Sequence, residues 1–250
     1  TSLVGSEMCI RDSLKPKELS SIKGVDLVLG AQEKFNLKSF LHDIEKRKET
    51  QIENKHIKHV NEFYPGYSKG DRVRSFFKVQ DGCNYFCSFC TIPLARGKSR
   101  SANVEETMVK AREIASSEVK EVVLTGVNIG DFGYGTKERL IDLLIELDKL
   151  EQINRFRISS IEPDLLSNEI IEFVYKSKRF VPHFHIPLQS GSDILLKSMR
   201  RRYNTELYKS RIEKIKDLMP KACIGVDVIV GYPGETEEEF NKTVHFLKSL

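Results

Sequence analysis

The 250-residue sequence contains no run of 18 apolar residues, so nothing in it reads as a membrane-spanning helix. It also lacks a recognisable secretory signal, which makes the cytoplasm the expected compartment. Cysteine is scarce at five, and the five are not paired in spacing. That excludes the disulfide framework of a small secreted domain. No second pair of closely spaced cysteines is present, so the usual four-ligand structural zinc site is hard to build. A strong charge of one sign is missing too. A formal net charge of +4 permits a nucleic-acid partner without demanding one. What remains is 40% hydrophobic and 30% charged, enough for one large α/β domain or two small ones.

Three of the cysteines fall within eight residues, Cys83-Asn84-Tyr85-Phe86-Cys87-Ser88-Phe89-Cys90. The spacing is C-x3-C-x2-C. Thiolates are soft ligands that suit iron–sulfur clusters and zinc. A [4Fe–4S] cluster normally takes four cysteines. Three from one short loop would hold three corners and leave one iron open to a non-protein ligand, which points to chemistry. A zinc site, three unrelated core cysteines, or an electron-transfer module without catalysis are the alternatives.

Beyond Arg72, strand and helix patterns alternate. Strands are expected over 72–80, 120–126, 154–160, 180–186 and 223–230, and helices over 104–117, 138–150, 164–177, 204–218 and 236–250. Leu140, Leu143, Leu144, Leu147 and Leu150 mark one helical face. Asn103 with Glu106, and Thr236 with Glu239, read as helix starts. Repeated β–α units with right-handed connections predict a parallel sheet curling toward a barrel. Five units are too few to close an eight-strand barrel. In such folds the chemistry sits at the carboxyl ends of the strands. The cysteine loop follows the first strand. Gly126-Val127-Asn128-Ile129-Gly130, Glu162-Pro163, Pro187-Leu188-Gln189-Ser190-Gly191-Ser192 and Gly231-Tyr232-Pro233-Gly234-Glu235 follow the others.

The cysteine loop resembles that of the radical S-adenosylmethionine (SAM) enzymes. Together with LTGVNIGDFG, ISSIEPDLL, FHIPLQSGSD, MRRRY and GVDVIVGYPGETEEEF, it is similar to the methylthiotransferase branch of that family. The resemblance implies an α/β fold, an open parallel (β/α) partial barrel of six units whose last strand lies beyond Leu250. It implies a [4Fe–4S] cluster on Cys83, Cys87 and Cys90, with SAM on the open iron. Phe89 is then expected near the SAM adenine, and Gly126, Asn128, Glu162, Gln189, Arg201 and Val226 are candidate SAM contacts. Glu162 would accept ribose hydroxyls and Arg201 would hold the SAM carboxylate. The resemblance further implies that the cluster would pass an electron into SAM, and that the resulting 5′-deoxyadenosyl radical would take the C2 hydrogen of the target. Sulfur from a second [4Fe–4S] cluster, carried only by the full-length protein, then adds, and a second SAM methylates it. An electron donor such as flavodoxin or ferredoxin is implied.

Within the family, Gly126-Val127-Asn128-Ile129-Gly130 is similar to the branch acting on N6-threonylcarbamoyladenosine in tRNA, beside the anticodon. The isopentenyladenosine branch and the ribosomal-protein aspartate branch are the alternatives. Arg96, Lys98 and Arg100 form a basic loop that would grip tRNA phosphates or stand solvated. Tyr85 and Phe86 would stack on a base or shield the cluster. His183 and His185 share one strand face and are expected to be packed or hydrogen-bonded.

Residues 1–13 match nothing downstream and resemble translated adapter sequence. They are read as a non-native leader, and Cys9 within them is discounted. Residues 14–60 resemble the end of the methylthiotransferase N-terminal domain plus a linker, with a strand over 25–29 and a helix from Glu33. By the same resemblance, residues 61–250 are expected to form the radical SAM core, truncated at its C-terminus. The TRAM domain that carries much of the family's tRNA grip is expected to be absent from this stretch.

Overall fold

The structure is a computed structural model that describes residues 12–40, 49–55, 57, 60–68 and 73–250. The leader and Cys9 lie almost wholly outside the described residues. Parallel strands β4 (Arg74–Lys78), β5 (Glu121–Thr125) and β6 (Arg155–Ile158) pair in order. Bridges Phe156↔Phe180 and Ser160↔His185 continue the parallel array to β7 (His183–His185), which pairs with β8 (Cys223–Gly225). A two-residue strand β3 (Gly66–Tyr67) runs antiparallel on the outer edge of β4. The expected open α/β partial barrel is therefore present.

Alternation along the strands sorts the two faces. Phe77, Leu124, Phe156, Ile158 and Phe184 point into one core beneath the helices. The helices are α3 (Val104–Ala115), α4 (Leu140–Asp148), α5 (Asn168–Lys176), α7 (Thr205–Leu218) and α8 (Glu237–Ser249). On α4, Leu143, Leu144 and Leu147 are fully buried, each contributing roughly 1.5–3 kcal/mol of transfer free energy. The two expected N-caps form: Asn103 accepts from the Glu106 amide and Thr236 from the Glu239 amide. Fully buried Tyr208 on α7 keeps its hydroxyl satisfied on the Ile186 carbonyl at 2.9 Å. The opposite sheet face is polar at the amino ends of the strands. There buried Glu121 gathers Arg74, Arg155 and Arg157 at 3.0, 3.4 and 3.3 Å.

Four expectations change. The last two strands are shorter than 180–186 and 223–230, because after His185 and Gly225 the chain leaves the ladder, touching again only at Gln189↔Val228. The helix expected from Glu33 is a 3-10 segment over Glu33–Phe40, broken at Asn36. The stretch taken as linker contributes β2 (Gln51–Glu53), parallel to β1 (Leu27–Leu29). Two short helices, α2 (Ile92–Arg96) and α6 (Asp193–Ser198), had no periodic signal at five and six residues.

Candidate active site

The loop carrying the three cysteines leaves β4 and is pinned at once by its neighbours. Gln80 is fully buried, and its side-chain amide donates to the carbonyls of Asp81 and Gly82 at 3.0 and 2.7 Å and to Ser99 Oγ at 2.9 Å. Its Oε1 accepts the Asn128 amide at 2.8 Å, joining the loop after β4 to the loop after β5. Gly126 must be glycine for the same reason, since a Cβ there would sit 2.9 Å from Gln80 Oε1. Asp81 is the ionic partner of Arg96 at 3.0 Å, Arg100 at 3.1 Å and Lys78 at 3.6 Å. Burial pushes its carboxyl up, but Arg100, Arg96 and Lys78 outweigh burial and hold it below the ordinary value. Asp81 and Arg100 exchange backbone hydrogen bonds at 3.0 and 2.9 Å. Gly82, at φ +71°, lies so close to this return strand that a Cβ would fall 2.0 Å from the Lys98 carbonyl oxygen.

From that base the triad is laid out by backbone bonds. The Cys83 amide donates to Gly97 O at 3.0 Å, the Cys90 amide to Cys87 O at 3.0 Å, and the Ser88 amide to Met199 O at 3.2 Å. All three thiols are free, and Cys87 is buried. Burial pushes the Cys83 thiol up to about 11 and raises that of Cys87. The sulfurs nevertheless face donors. The Tyr85 amide points at Cys83 Sγ at 3.3 Å, and Arg201 Nη1 at Cys87 Sγ at 3.0 Å. Donors of this kind favour thiolate over thiol, and thiolate is what an iron–sulfur cluster takes. Among the described residues no three Cys, His, Asp or Glu converge on one metal-ion position. Three cysteines on one loop, two of them with N–H donors at sulfur, suit the thiolate corners of an iron–sulfur cluster.

Arg201 reaches the loop because α6 ends in a left-handed turn. Arg200 adopts φ +60°, and the Arg201 amide bonds back to Leu196 O at 2.9 Å, which swings the next side chain inward. Each nitrogen of its guanidinium has one partner: Nη1 has Cys87, Nη2 has Glu162, and Nε has the Tyr203 hydroxyl at 3.2 Å. Burial raises the Glu162 carboxyl, Arg201 opposes that, and the net direction is up. The expectation that Arg201 reaches for a carboxylate thus meets an arginine already engaged by this chain.

The remaining expected residues lie on the same rim. Asn128 is 4% exposed, donates to Asp131 at 3.1 Å, and keeps an Oδ1 with no partner. Gln189 holds φ +65° between the Asp227 carbonyl at 2.8 Å and the Ile229 amide at 2.9 Å. Val226 directly follows β8 and is partly exposed, and Phe89 and Phe86 are exposed. Tyr85 is buried under the Arg202 guanidinium, 3.9 Å above its ring, with its hydroxyl on Asp164. His185 sits between Ser160 and Asp227, the latter at 3.0 Å. In the basic loop, Arg96 and Arg100 pair with Asp81, and Lys98 is the most exposed of the three expected cations. Alternating charge cannot distinguish a brace from a grip. Gln80, Asp81 and Tyr203 had no assigned role from sequence. The only signal for the first two was their place between a strand and the first cysteine.

Residues 77–247 match the model of the Radical SAM superfamily. The chain belongs to that superfamily. Among radical SAM relatives, it is 40% identical over 237 residues to the threonylcarbamoyladenosine tRNA methylthiotransferase MtaB of Bacillus subtilis, covering 93% of this chain and 52% of that protein. It is likewise 40% identical to the MtaB of Aquifex aeolicus, covering 95% and 58%. To the tRNA-2-methylthio-N(6)-dimethylallyladenosine synthase of Desulforamulus reducens it is 34% identical, covering 90% and 50%. The chain thus spans about half the length of the curated relatives it matches. Among solved structures, the radical SAM methyltransferase TsrM of Kitasatospora setae superposes with a TM-score of 0.56 at 17% identity, over 70% of this chain and 34% of that one. That likeness concerns the radical SAM fold alone. Among the described residues no helix is long and apolar enough to cross a membrane.

Proposed function

We propose that this chain is the cluster- and SAM-binding part of a methylthiotransferase that acts on C2 of N6-threonylcarbamoyladenosine in tRNA. The observation that carries the reading is the Cys83–Cys87–Cys90 loop, seated on the carboxyl-end rim with N–H donors aimed at two of its sulfurs. The likeness to MtaB over nearly the whole chain supports the branch, as does the loop Gly126-Val127-Asn128-Ile129-Gly130. When bound, the [4Fe–4S] cluster supplies the electron that opens SAM. This chain's residues do the holding. Cys83, Cys87 and Cys90 take three irons. Gln80 fixes the loop after β5 against the cysteine loop, so that Gly126 and Asn128 keep their distance from the cluster. The unpartnered Asn128 Oδ1 is an acceptor awaiting a ligand donor. Glu162 offers its other oxygen toward ribose hydroxyls, Gln189 and Val226 border the far side, and Phe89 gives an apolar face for the adenine. Lys98 is the cation left to meet tRNA phosphate. The whole protein adds a second [4Fe–4S] cluster and draws electrons from a flavodoxin- or ferredoxin-like donor in the cytoplasm.

Anaerobic reconstitution followed by iron and sulfide analysis tests the reading. About four of each per chain are expected, with Cys87→Ala losing most of the visible absorbance. With dithionite and SAM the chain should release 5′-deoxyadenosine slowly while adding no methylthio group to tRNA by itself. A triple Cys→Ala variant that binds the same cluster would overturn the proposal.

A further inference from the structure

We propose that Arg201 sets the reduction potential of the cluster on the cysteine triad, and that Glu162 trims its effect. The inference rests on the reading that Cys83, Cys87 and Cys90 bind a [4Fe–4S] cluster. It assigns Arg201 to the cluster's electronics as a positioning and tuning residue.

The geometry is that of a fixed charge, and only 3% of the Arg201 side chain is exposed. One arm of the fork lies 3.0 Å from Cys87 Sγ, the other rests on Glu162, and Nε donates to the Tyr203 hydroxyl at 3.2 Å. Tyr203 is itself held, its hydroxyl sharing its one hydrogen between Pro187 O and Leu188 O at 2.9 and 2.8 Å, with its ring 5.1 Å from the guanidinium carbon. Three of the five guanidinium N–H groups therefore have a chain partner, one on each nitrogen, which holds the cation beside Cys87 Sγ.

Reduction adds one electron to the cluster from an external low-potential reductant. No bond forms or breaks and no proton crosses. The added negative charge spreads over iron, sulfide and cysteine sulfur. A buried cation donating an N–H to one of those sulfurs stabilises the reduced form more than the oxidised form. Hydrogen bonds to sulfur and net local charge are the levers that place such potentials, and burial strengthens both. Glu162 carries the opposite charge beside the other arm of the same guanidinium, so it offsets part of the gain. The two residues must then act with opposite signs.

EPR-monitored redox titration of the anaerobically reconstituted 250-residue chain tests this. Arg201→Gln should lower the reduction equilibrium constant about tenfold, a downward shift of 59 mV for a one-electron couple. Glu162→Gln should move the potential upward. A purely structural role would change iron content in both variants and shift the potential of the remaining cluster in neither. Unchanged potentials, or shifts of the same sign, overturn the proposal. If Arg201→Gln loses its cluster, the upward shift in Glu162→Gln decides alone. If both lose it, pulsed EPR on the reduced wild-type cluster decides, using protein labelled with 15N in the arginine guanidinium. No 15N coupling there refutes the contact. A wild-type chain that binds no four-iron cluster removes the underlying reading, a result distinct from an intact cluster whose potential ignores Arg201.

Discussion

Asp81 is the residue whose loss tests the architecture of the cysteine loop most directly. Asp81→Asn keeps the shape and an oxygen for the Gly82 amide, which Asp81 now accepts at 2.8 Å. It removes the negative charge that Lys78, Arg96 and Arg100 share. Breaking a buried ion pair by deleting one partner costs about 3–5 kcal/mol. Lys78 and Arg96 retain 26% and 28% exposure and can turn toward water, whereas Arg100 at 10% cannot. Arg100 keeps carbonyl partners on Glu62, Arg96 and Lys98, which satisfy its hydrogens without neutralising its charge. The expected loss is therefore near the low end, about 3 kcal/mol, or roughly 6–12 °C in Tm for a chain of this size. Urea unfolding of the cluster-free protein followed by circular dichroism measures it. The pH dependence supplies a second check. The folded Asp81 carboxyl lies below its unfolded value of about 3.9. Its contribution is complete above about pH 5 and fades as pH falls through the folded value. The stability gap between wild type and variant should stay constant from pH 8 to about pH 5 and close in acid. Glu169→Gln, which breaks the exposed pair with Arg139, should leave the transition where it was. A loss under about 1 kcal/mol, or a gap that widens in acid, would refute the account.

Other outcomes follow from the same geometry. Gly82→Ala should abolish iron retention after reconstitution, because the new Cβ collides with the Lys98 carbonyl and parts the Asp81–Arg100 bridge; full iron content in that variant would contradict the clamp. In cluster-free protein at pH 8, iodoacetamide should label exposed Cys223 before Cys83 and Cys87, whose thiols burial holds neutral, with peptide mass spectrometry giving the order. Leu143→Ala, in the packed face of α4, should cost about 2–5 kcal/mol in urea unfolding. Lys98→Ala in the full-length protein should weaken all tRNAs alike and reduce the salt slope by about one ion; an unchanged slope leaves Lys98 a surface residue.

Much of this was readable from residue order, for identifiable reasons. The triad was legible because its ligands are sequence neighbours. The helices were legible because amphipathic periodicity and cap residues are local, as at Asn103 and Thr236. The rim was legible because β–α units place every strand-to-helix loop at one end. What failed was what depends on partners far along the chain. Arg96 and Arg100 look like free cations until Asp81 appears between them. Gln80 has no signature, since its role is to bond four groups that only folding brings together. The short β7 and β8 were overextended because apolar runs continue past the point where the ladder stops.

The contact between Arg201 and Cys87 also has a history written into the order of synthesis. The two residues are 114 positions apart. At about 5–20 residues per second a ribosome delivers the arginine roughly 6–23 s after the cysteine. For that interval the nascent chain carries all three cysteines with neither their cation nor the tyrosine that steadies it. The cysteine loop is thus written early and its charge environment late, so its final setting waits on a segment made long after the thiols themselves.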